Sequence, residues 1–217
     1  MTDTKCIAVI GAGTMGRGIA QVFAQSGYDV VLHDAARNVL DDAQTHIGRM
    51  LGRAVEKGKM SAGDADAAKR RIRPVADVGE LGKVSLIVEA ATERVDVKIE
   101  ILKHVESALA DDGILATNTS SISITQLAAV TDRPDVFIGM HFFNPVPLMK
   151  LVEVVRGLRT SDDTVARTMA VAEAVGKTPV SCHDHPGFVS NRILMPMINE
   201  AVACLQDGVA EPDAIDT

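Results

Sequence analysis

Short apolar runs alternate along the chain with longer stretches in which apolar residues recur at helical spacing. CIAVIG (6–11), DVVLHD (29–34), IRPVAD (72–77), VSLIVEA (84–90), GILATNTS (113–120) and VFIGMHF (136–142) have strand length, and amphipathic segments lie between most of them. Repeated strand-helix-strand order, with strands apolar on both faces, predicts an α/β fold whose mainly parallel sheet is covered by helices on two sides. After Phe142 the rhythm changes. LVEVVRG (151–157) and TPVSC (178–182) are two further strands, joined by a helix from Asp162 to Val175 with Gly176 as its stop. Only the NPVP loop separates VFIGMHF from LVEVVRG, so the second run is expected to return antiparallel to the first.

Two regions depart from the alternation. Residues 36–73 are too long for one crossover helix and carry Arg49, Arg53, Lys57, Lys59, Lys69, Arg70, Arg71 and Arg73 among few acids. They read as a helical hairpin projecting from the sheet. Past Phe188 comes SNRILMPMINEAVACLQDG, a helix whose apolar surface needs a partner outside this sequence, and then VAEPDAIDT, which resembles the cap of another. The pattern divides into one nucleotide-binding domain over residues 1–184 and the beginning of a helical domain over 185–217.

With 217 residues the chain suits one dominant core. Its net charge of -7 argues against a nucleic-acid partner, because a phosphate-backbone binder normally carries a basic surplus. No run reaches the roughly 18 apolar residues of a membrane span, and the opening MTDTK lacks the basic start of a secretory leader. Cys6, Cys182 and Cys204 are odd in number and set in apolar runs, which predicts buried free thiols in a reducing, cytoplasmic setting.

The chemistry begins at IAVIGAGTMGRG, where Gly11, Gly13 and Gly16 form G-x-G-x-x-G. Alone the pattern is weak. Here it follows an apolar strand, opens an amphipathic helix that begins at Thr14 and Met15, and precedes a second strand ending in Asp34, about 20 residues on. This is the arrangement of a Rossmann-type dinucleotide site. Gly11 permits the tight turn, Gly13 lets backbone approach a pyrophosphate and Gly16 lets helix pack on strand, while the pyrophosphate rests on free helix amides. Asp34 would accept from an adenosine ribose and repel a 2'-phosphate, favouring NAD over NADP, although Arg37 nearby tempers that preference.

In GMHFFNPVPLMKLVEVVRG one imidazole and one carboxylate interrupt two apolar strands. A simple hairpin centred on Pro147 would set His141 opposite Glu153 on one face, a register that the two prolines leave open to shift. A carboxylate behind an imidazole fixes its tautomer and stabilises the imidazolium, as a general base requires. A satisfied core histidine is the competing reading. Asn118, Thr119, Ser120 and Ser121 end another strand on the same edge, where a hydroxyl can hold a substrate oxygen and Ser121 can equally cap a helix. By charge alone, Glu93 and Lys98 in EAATERVDVK read as solvated.

VIGAGTMGRGIA, LIVEAATERVDVK, TNTSSISI, GMHFFNPVPLMKLVEVV and HDHPGFVSNRIL, in this order over nearly the whole chain, resemble the NAD-dependent 3-hydroxyacyl-CoA dehydrogenases of the 3-hydroxybutyryl-CoA type. The resemblance implies that L-3-hydroxyacyl-CoA is oxidised to 3-oxoacyl-CoA. It makes His141 the catalytic base and Glu153 its partner, with Ser120 and Asn191 at the reacting carbon. Glu93, Lys98, Asn118 and Asn144 would lie around the nicotinamide and substrate. Arg49, Arg53 and Lys57, at four-residue spacing on one helix face, would meet the phosphates of CoA; a solvated face is the alternative. His183 and His185 fall in the linker to the last helix, and no metal is expected. The family's second domain usually carries a homodimer interface. This chain stops at Thr217 and is expected to be a truncated form, so that contact would fall outside it. A silent NAD-binding relative and a dehydrogenase of free 3-hydroxy acids are the other readings; loss of His141 or Glu153 would mark the first, and absence of a basic hairpin the second.

Overall fold

The computed structural model describes residues 6–217; the opening MTDTK, in which no leader was expected, lies outside the described residues. The strands are β1 (Cys6–Ile10), β2 (Asp29–His33), β3 (Ile72–Val75), β4 (Val84–Glu89), β5 (Leu109–Thr117), β6 (Phe137–Phe142), β7 (Leu151–Arg156) and β8 (Thr178–His183). They form one sheet in the order β3-β2-β1-β4-β5-β6-β7-β8, parallel throughout except for the β6–β7 pair. The helices are α1 (Thr14–Gln25), α2 (Arg37–Glu56), α3 (Ala62–Arg70), α4 (Val95–Val105), α5 (Ile124–Ala128), α6 (Asp162–Ala174), α7 (Ser190–Gln206) and α8 (Pro212–Ile215).

Alternation along each strand divides the core in two. Ile7, Val9, Leu32 and Val88 face α1, α2, α3 and α6, whereas Ala8, Ile10, Val31 and Ile87 face α4 and α5. Both faces are therefore dry, which is why the parallel strands read as continuous apolar runs. Order reverses at β1, where β2 and β4 flank the first strand on opposite sides. Crossovers leave there to opposite faces, and a crevice opens at the carboxyl edge of the sheet.

The hairpin predicted from residues 36–73 is α2 and α3. Leu40, Ala43, Ile47 and Leu51 bury one stripe of α2 in the core, so this side is docked, while Arg49, Arg53 and Lys57 lie on the exposed side. Ser61 caps α3 by accepting from the amide of Asp64 at 3.1 Å. At the far end of the chain α7 buries no residue, and Ile193, Met197 and Val202 on it are more than half exposed. The three cysteines are free but half-buried, which corrects the expectation of buried thiols. Cys182 lies on the edge strand β8 and Cys204 on the uncovered α7, so neither is enclosed on all sides. Burial, together with the nearby Glu153 and Asp184, pushes the Cys182 thiol up to about 11, which keeps it protonated and unreactive near neutrality.

The first crossover is seated by close backbone approach. A Cβ placed on Gly16 would lie 1.7 Å from the carbonyl oxygen of Gly11. Gly16→Ala is therefore expected to cost at least about 3 kcal/mol of stability through overpacking, measured by denaturant unfolding.

Candidate active site

Gly11 turns the chain out of β1 with φ of 97°, a conformation that suits glycine, and its amide donates to the carbonyl of His33 at 2.7 Å. α1 then begins with Gly13 as its N-cap and no side-chain acceptor on its first amides. Those donors face a cavity of about 230 Å³ lined by Gly13, Thr14, Met15, Ala90, Ala91, Thr92, Glu93, Lys98 and Asn118. Asp34, at the tip of β2, accepts from the amides of Ala12 at 2.9 Å and Ala36 at 3.0 Å, so it also holds the glycine loop in shape. Beyond it lies a largely apolar cavity of about 320 Å³ walled by Val78, Val97, Ile101 and His104. None of these four was legible beforehand. They come from a short helical turn after β3 and from α4, and only the crossover brings them beside Asp34.

Lys98 is not a solvated charge. It is 1% exposed and its Nζ donates to Glu89 Oε2 at 2.6 Å. Glu89 Oε2 also accepts from Thr117 Oγ1 at 2.6 Å, and Oε1 from the amide of Ala91 at 2.9 Å. Strand periodicity does not mark Glu89; its signal is an acid flanked by apolar residues at a strand end, with a lysine nine residues on. Glu93 is half-exposed. Its Oε1 accepts from both the amide and the hydroxyl of Ser120, at 2.7 and 2.8 Å, and its Oε2 accepts from Thr119 Oγ1 at 2.9 Å. The helix cap after β5 is Ser123, which accepts from the amide of Gln126 at 3.2 Å. Ser121 does not serve there, because α5 starts only at Ile124.

β6 and β7 pair with His141 opposite Glu153, so the prolines do not shift the register. His141 Nδ1 lies 2.8 Å from Glu153 Oε2, and both residues are buried. Because Nδ1 faces a carboxylate it carries the proton, which leaves Nε2 as the basic nitrogen. Phe143 and Phe188 pack on the ring, with centroids 4.4 and 5.8 Å from its own. The other carboxylate oxygen, Glu153 Oε1, accepts from the amides of Val189 and Ser190 at 3.1 and 2.7 Å and from Ser190 Oγ at 2.9 Å. This anchors the start of α7, where Asn191 donates from Nδ2 to the carbonyl of Ser120 at 3.3 Å. Asn118 Oδ1 accepts from the amide of Phe142 at 2.8 Å, tying the tip of β5 to that of β6 beside His141.

Asn144 does not line the cavity that holds Lys98 and Glu93. It borders a third cavity of about 280 Å³, with Arg17, His46, Met50 and the turn Pro145–Leu148, and Thr14 lines both this cavity and the one at Lys98. Arg49 donates to His46 Nδ1 at 3.2 Å when that nitrogen is the acceptor. Burial and the neighbouring Arg17, Arg49 and Arg53 hold the His46 ring below the ordinary histidine range, so positive charge converges on this mouth. Lys57 closes α2 as its C-cap.

A sheet edge that offers helix amides to a pyrophosphate and, on the same side, a basic nitrogen backed by a carboxylate is the working edge of a nucleotide-dependent dehydrogenase. The comparisons narrow the class. A model of the NAD-binding domain of 3-hydroxyacyl-CoA dehydrogenase matches residues 6–185, and that family's C-terminal domain matches 187–217. A Deinococcus radiodurans protein named "Probable 3-hydroxybutyryl-CoA dehydrogenase" is 54% identical over 96% of this chain and 74% of its own. An Escherichia coli 3-hydroxyadipyl-CoA dehydrogenase is 42% identical over 100% of this chain and 46% of its own. The crystal structure of (S)-3-hydroxybutyryl-CoA dehydrogenase from Ralstonia eutropha superposes with a TM-score of 0.94 at 45% identity, over 98% of this chain and 75% of that one. The chain belongs to the 3-hydroxyacyl-CoA dehydrogenase family.

Burial pushes the Glu153 carboxyl up, but hydrogen bonds from His141 and Ser190 outweigh it and hold the group below the ordinary carboxylate range. Asp184 is also raised by burial and brought below that range, by donors from Thr125, Ser123 and Ile124. A carboxyl lower in the folded state than in the unfolded one stabilises the fold above its unfolded value, and that contribution is lost as pH falls through the folded one. Glu153→Gln should therefore be less stable than the parent near neutrality. The gap should close on acidification below the ordinary carboxylate range, as read by urea titrations at a series of pH values.

Proposed function

We propose that His141 is the general base in the oxidation of L-3-hydroxyacyl-CoA to 3-oxoacyl-CoA, with Glu153 positioning and supporting it. The observation that carries this reading is the buried His141–Glu153 pair, 2.8 Å apart on adjacent antiparallel strands at the carboxyl edge of the sheet. The cofactor is NAD. The residues fit it: a Cβ on Gly13 would meet nothing within 4 Å, so backbone is open to a pyrophosphate, and the first amides of α1 have no side-chain acceptor. Gly13, Thr14, Met15 and Gly16 would hold the phosphates, Asp34 the adenosine ribose, and Lys98, Glu93 and Asn118 the nicotinamide end. Bound NAD supplies the acceptor for the hydride that leaves C3 of the substrate.

The protein handles the proton. His141 Nε2 takes it from the C3 hydroxyl, and the Glu153 carboxylate at Nδ1 lowers the cost of the imidazolium that forms. Ser120 and Asn191 would steady the substrate oxygen. The Ser120 hydroxyl donates to Glu93 here, so it must turn from that carboxylate to donate to the substrate. In the reverse direction the protonated His141 returns the proton. Arg17, which lines the third cavity, would meet the CoA phosphates together with Arg49, Arg53 and Lys57 on the exposed side of α2. We read residues 1–184 as the cofactor domain and 185–217 as the start of the second, whose exposed apolar helix α7 would serve the homodimer contact.

His141→Ala should lower kcat by about 100- to 10,000-fold while NAD affinity stays unchanged, measured as NADH formation from a panel of L-3-hydroxyacyl-CoA esters and by cofactor fluorescence. Unchanged turnover in that variant would remove the assignment. Removing the charges of Arg49, Arg53 and Lys57 together should raise KM for the CoA ester by about tenfold or more and leave KM for the free 3-hydroxy acid unaltered. An unaltered ester KM would mark the face as merely solvated.

A further inference from the structure

The segment Phe143–Lys150 joins the strand of His141 to the strand of Glu153. It begins with Phe143 packed on the His141 ring, and Asn144–Leu148 form one wall of the third cavity, opposite Arg17, His46 and Met50. Past Asn144 the wall is apolar and partly bare, with Leu148 70% exposed. A ligand suited to such a cavity is anionic at one end and apolar along its length, as an acyl-CoA is.

What shapes this segment lies mostly outside it. Within the turn, the amides of Leu148 and Met149 both donate to the carbonyl of Pro145, at 2.9 and 3.0 Å. The carbonyls of Val146 and Met149 instead accept from the Nζ of Lys177, 31 and 28 residues away in sequence; the contact to Met149 is 2.8 Å. Lys177 follows Gly176 at the end of α6 and is 9% exposed. Water therefore has little access to replace it, and a buried carbonyl left without a donor is costly. On the opposite side Val146 presses on α1, where a Cβ on Gly18 would lie 2.9 Å from the Val146 Cβ. The turn is held between these two contacts.

We propose that Lys177 is a positioning residue for the acyl-CoA substrate: by holding the carbonyls of Val146 and Met149 it sets the wall along which the thioester reaches His141, and it has no part in binding NAD. This deepens the proposed acyl-CoA reading and rests on it. The cofactor loop, Asp34 and Lys98 make no hydrogen bond to Lys177 or to this turn among the described residues, so loss of the ammonium should separate the two ligands.

The test is Lys177→Met, which keeps the aliphatic stem and removes the donor. KM for the L-3-hydroxyacyl-CoA ester and the Kd of acetoacetyl-CoA, read by calorimetry, should both rise about tenfold, the effect of losing a charged hydrogen bond. KM and Kd for NAD should stay within about twofold of the parent. A generally loosened fold would shift both ligands together, and a folded variant with unchanged acetoacetyl-CoA affinity, or with both ligands weakened alike, overturns the proposal. Should Lys177→Met fail to fold, Gly18→Ala decides. Alanine favours the helix while its methyl group moves Val146 from the other side; the same split is expected, and an unchanged thioester affinity overturns the proposal. A parent protein that binds acetoacetyl-CoA but forms no NADH from any ester refutes the dehydrogenase assignment, and leaves the calorimetric split to judge Lys177.

Discussion

Everything at the working edge depends on one buried carboxylate with two faces. Glu153 turns one oxygen to His141 and the other to the amides of Val189 and Ser190, so it serves the imidazole and the first turn of α7 together. An ionised group in that position is tolerable only because it accepts four hydrogen bonds, one of them from the Ser190 hydroxyl. If its donors were lost, the charge would be stranded where water cannot reach it. The same geometry brings Asn191 over Ser120, so the carboxylate paired with His141 also anchors the turn that carries Asn191.

A second buried charge cluster lies beside the glycine loop. Glu89 and Lys98 neutralise one another inside the sheet-helix interface, and Glu89 also restrains Ala91 in the loop after β4. That loop packs against Gly11, where a Cβ would lie 2.5 Å from Ala91 Cα. Glycine at this position thus satisfies a close approach as well as a positive φ. The two clusters meet through Glu93, which lies 3.9 Å from Lys98 and accepts from Ser120. The Glu89–Lys98 cluster and Ser120 are thus linked through the half-exposed Glu93 carboxylate, by an ion pair on one side and hydrogen bonds on the other.

Much of the fold was legible in the residues. All eight strands, the basic hairpin and the antiparallel return of LVEVVRG follow from periodicity and from Gly and Pro punctuation. The opposition of His141 and Glu153 was legible too, because side chains alternate with period two along strands joined by a short connection. Lys98 was misread by charge alone, since exposure is not a property of residue type, whereas Glu93 is half-exposed and still bound by Thr119 and Ser120. Lys98 is buried because α4 packs it against β4 and β5, where Glu89 and Thr117 wait for it.

What the sequence determined by itself is whatever local spacing encodes: a glycine loop between strand and helix, an acid one strand later, and an imidazole and carboxylate about six residues either side of a turn. Only the tertiary structure decided which distant groups complete them. Lys177 reaches Val146, Ser190 reaches Glu153 and Val97 reaches the cavity beside Asp34. The reason is physical. Those pairings lie between elements far apart in sequence, and crossover helices and sheet order, rather than any repeat along the chain, bring them within hydrogen-bonding or packing distance.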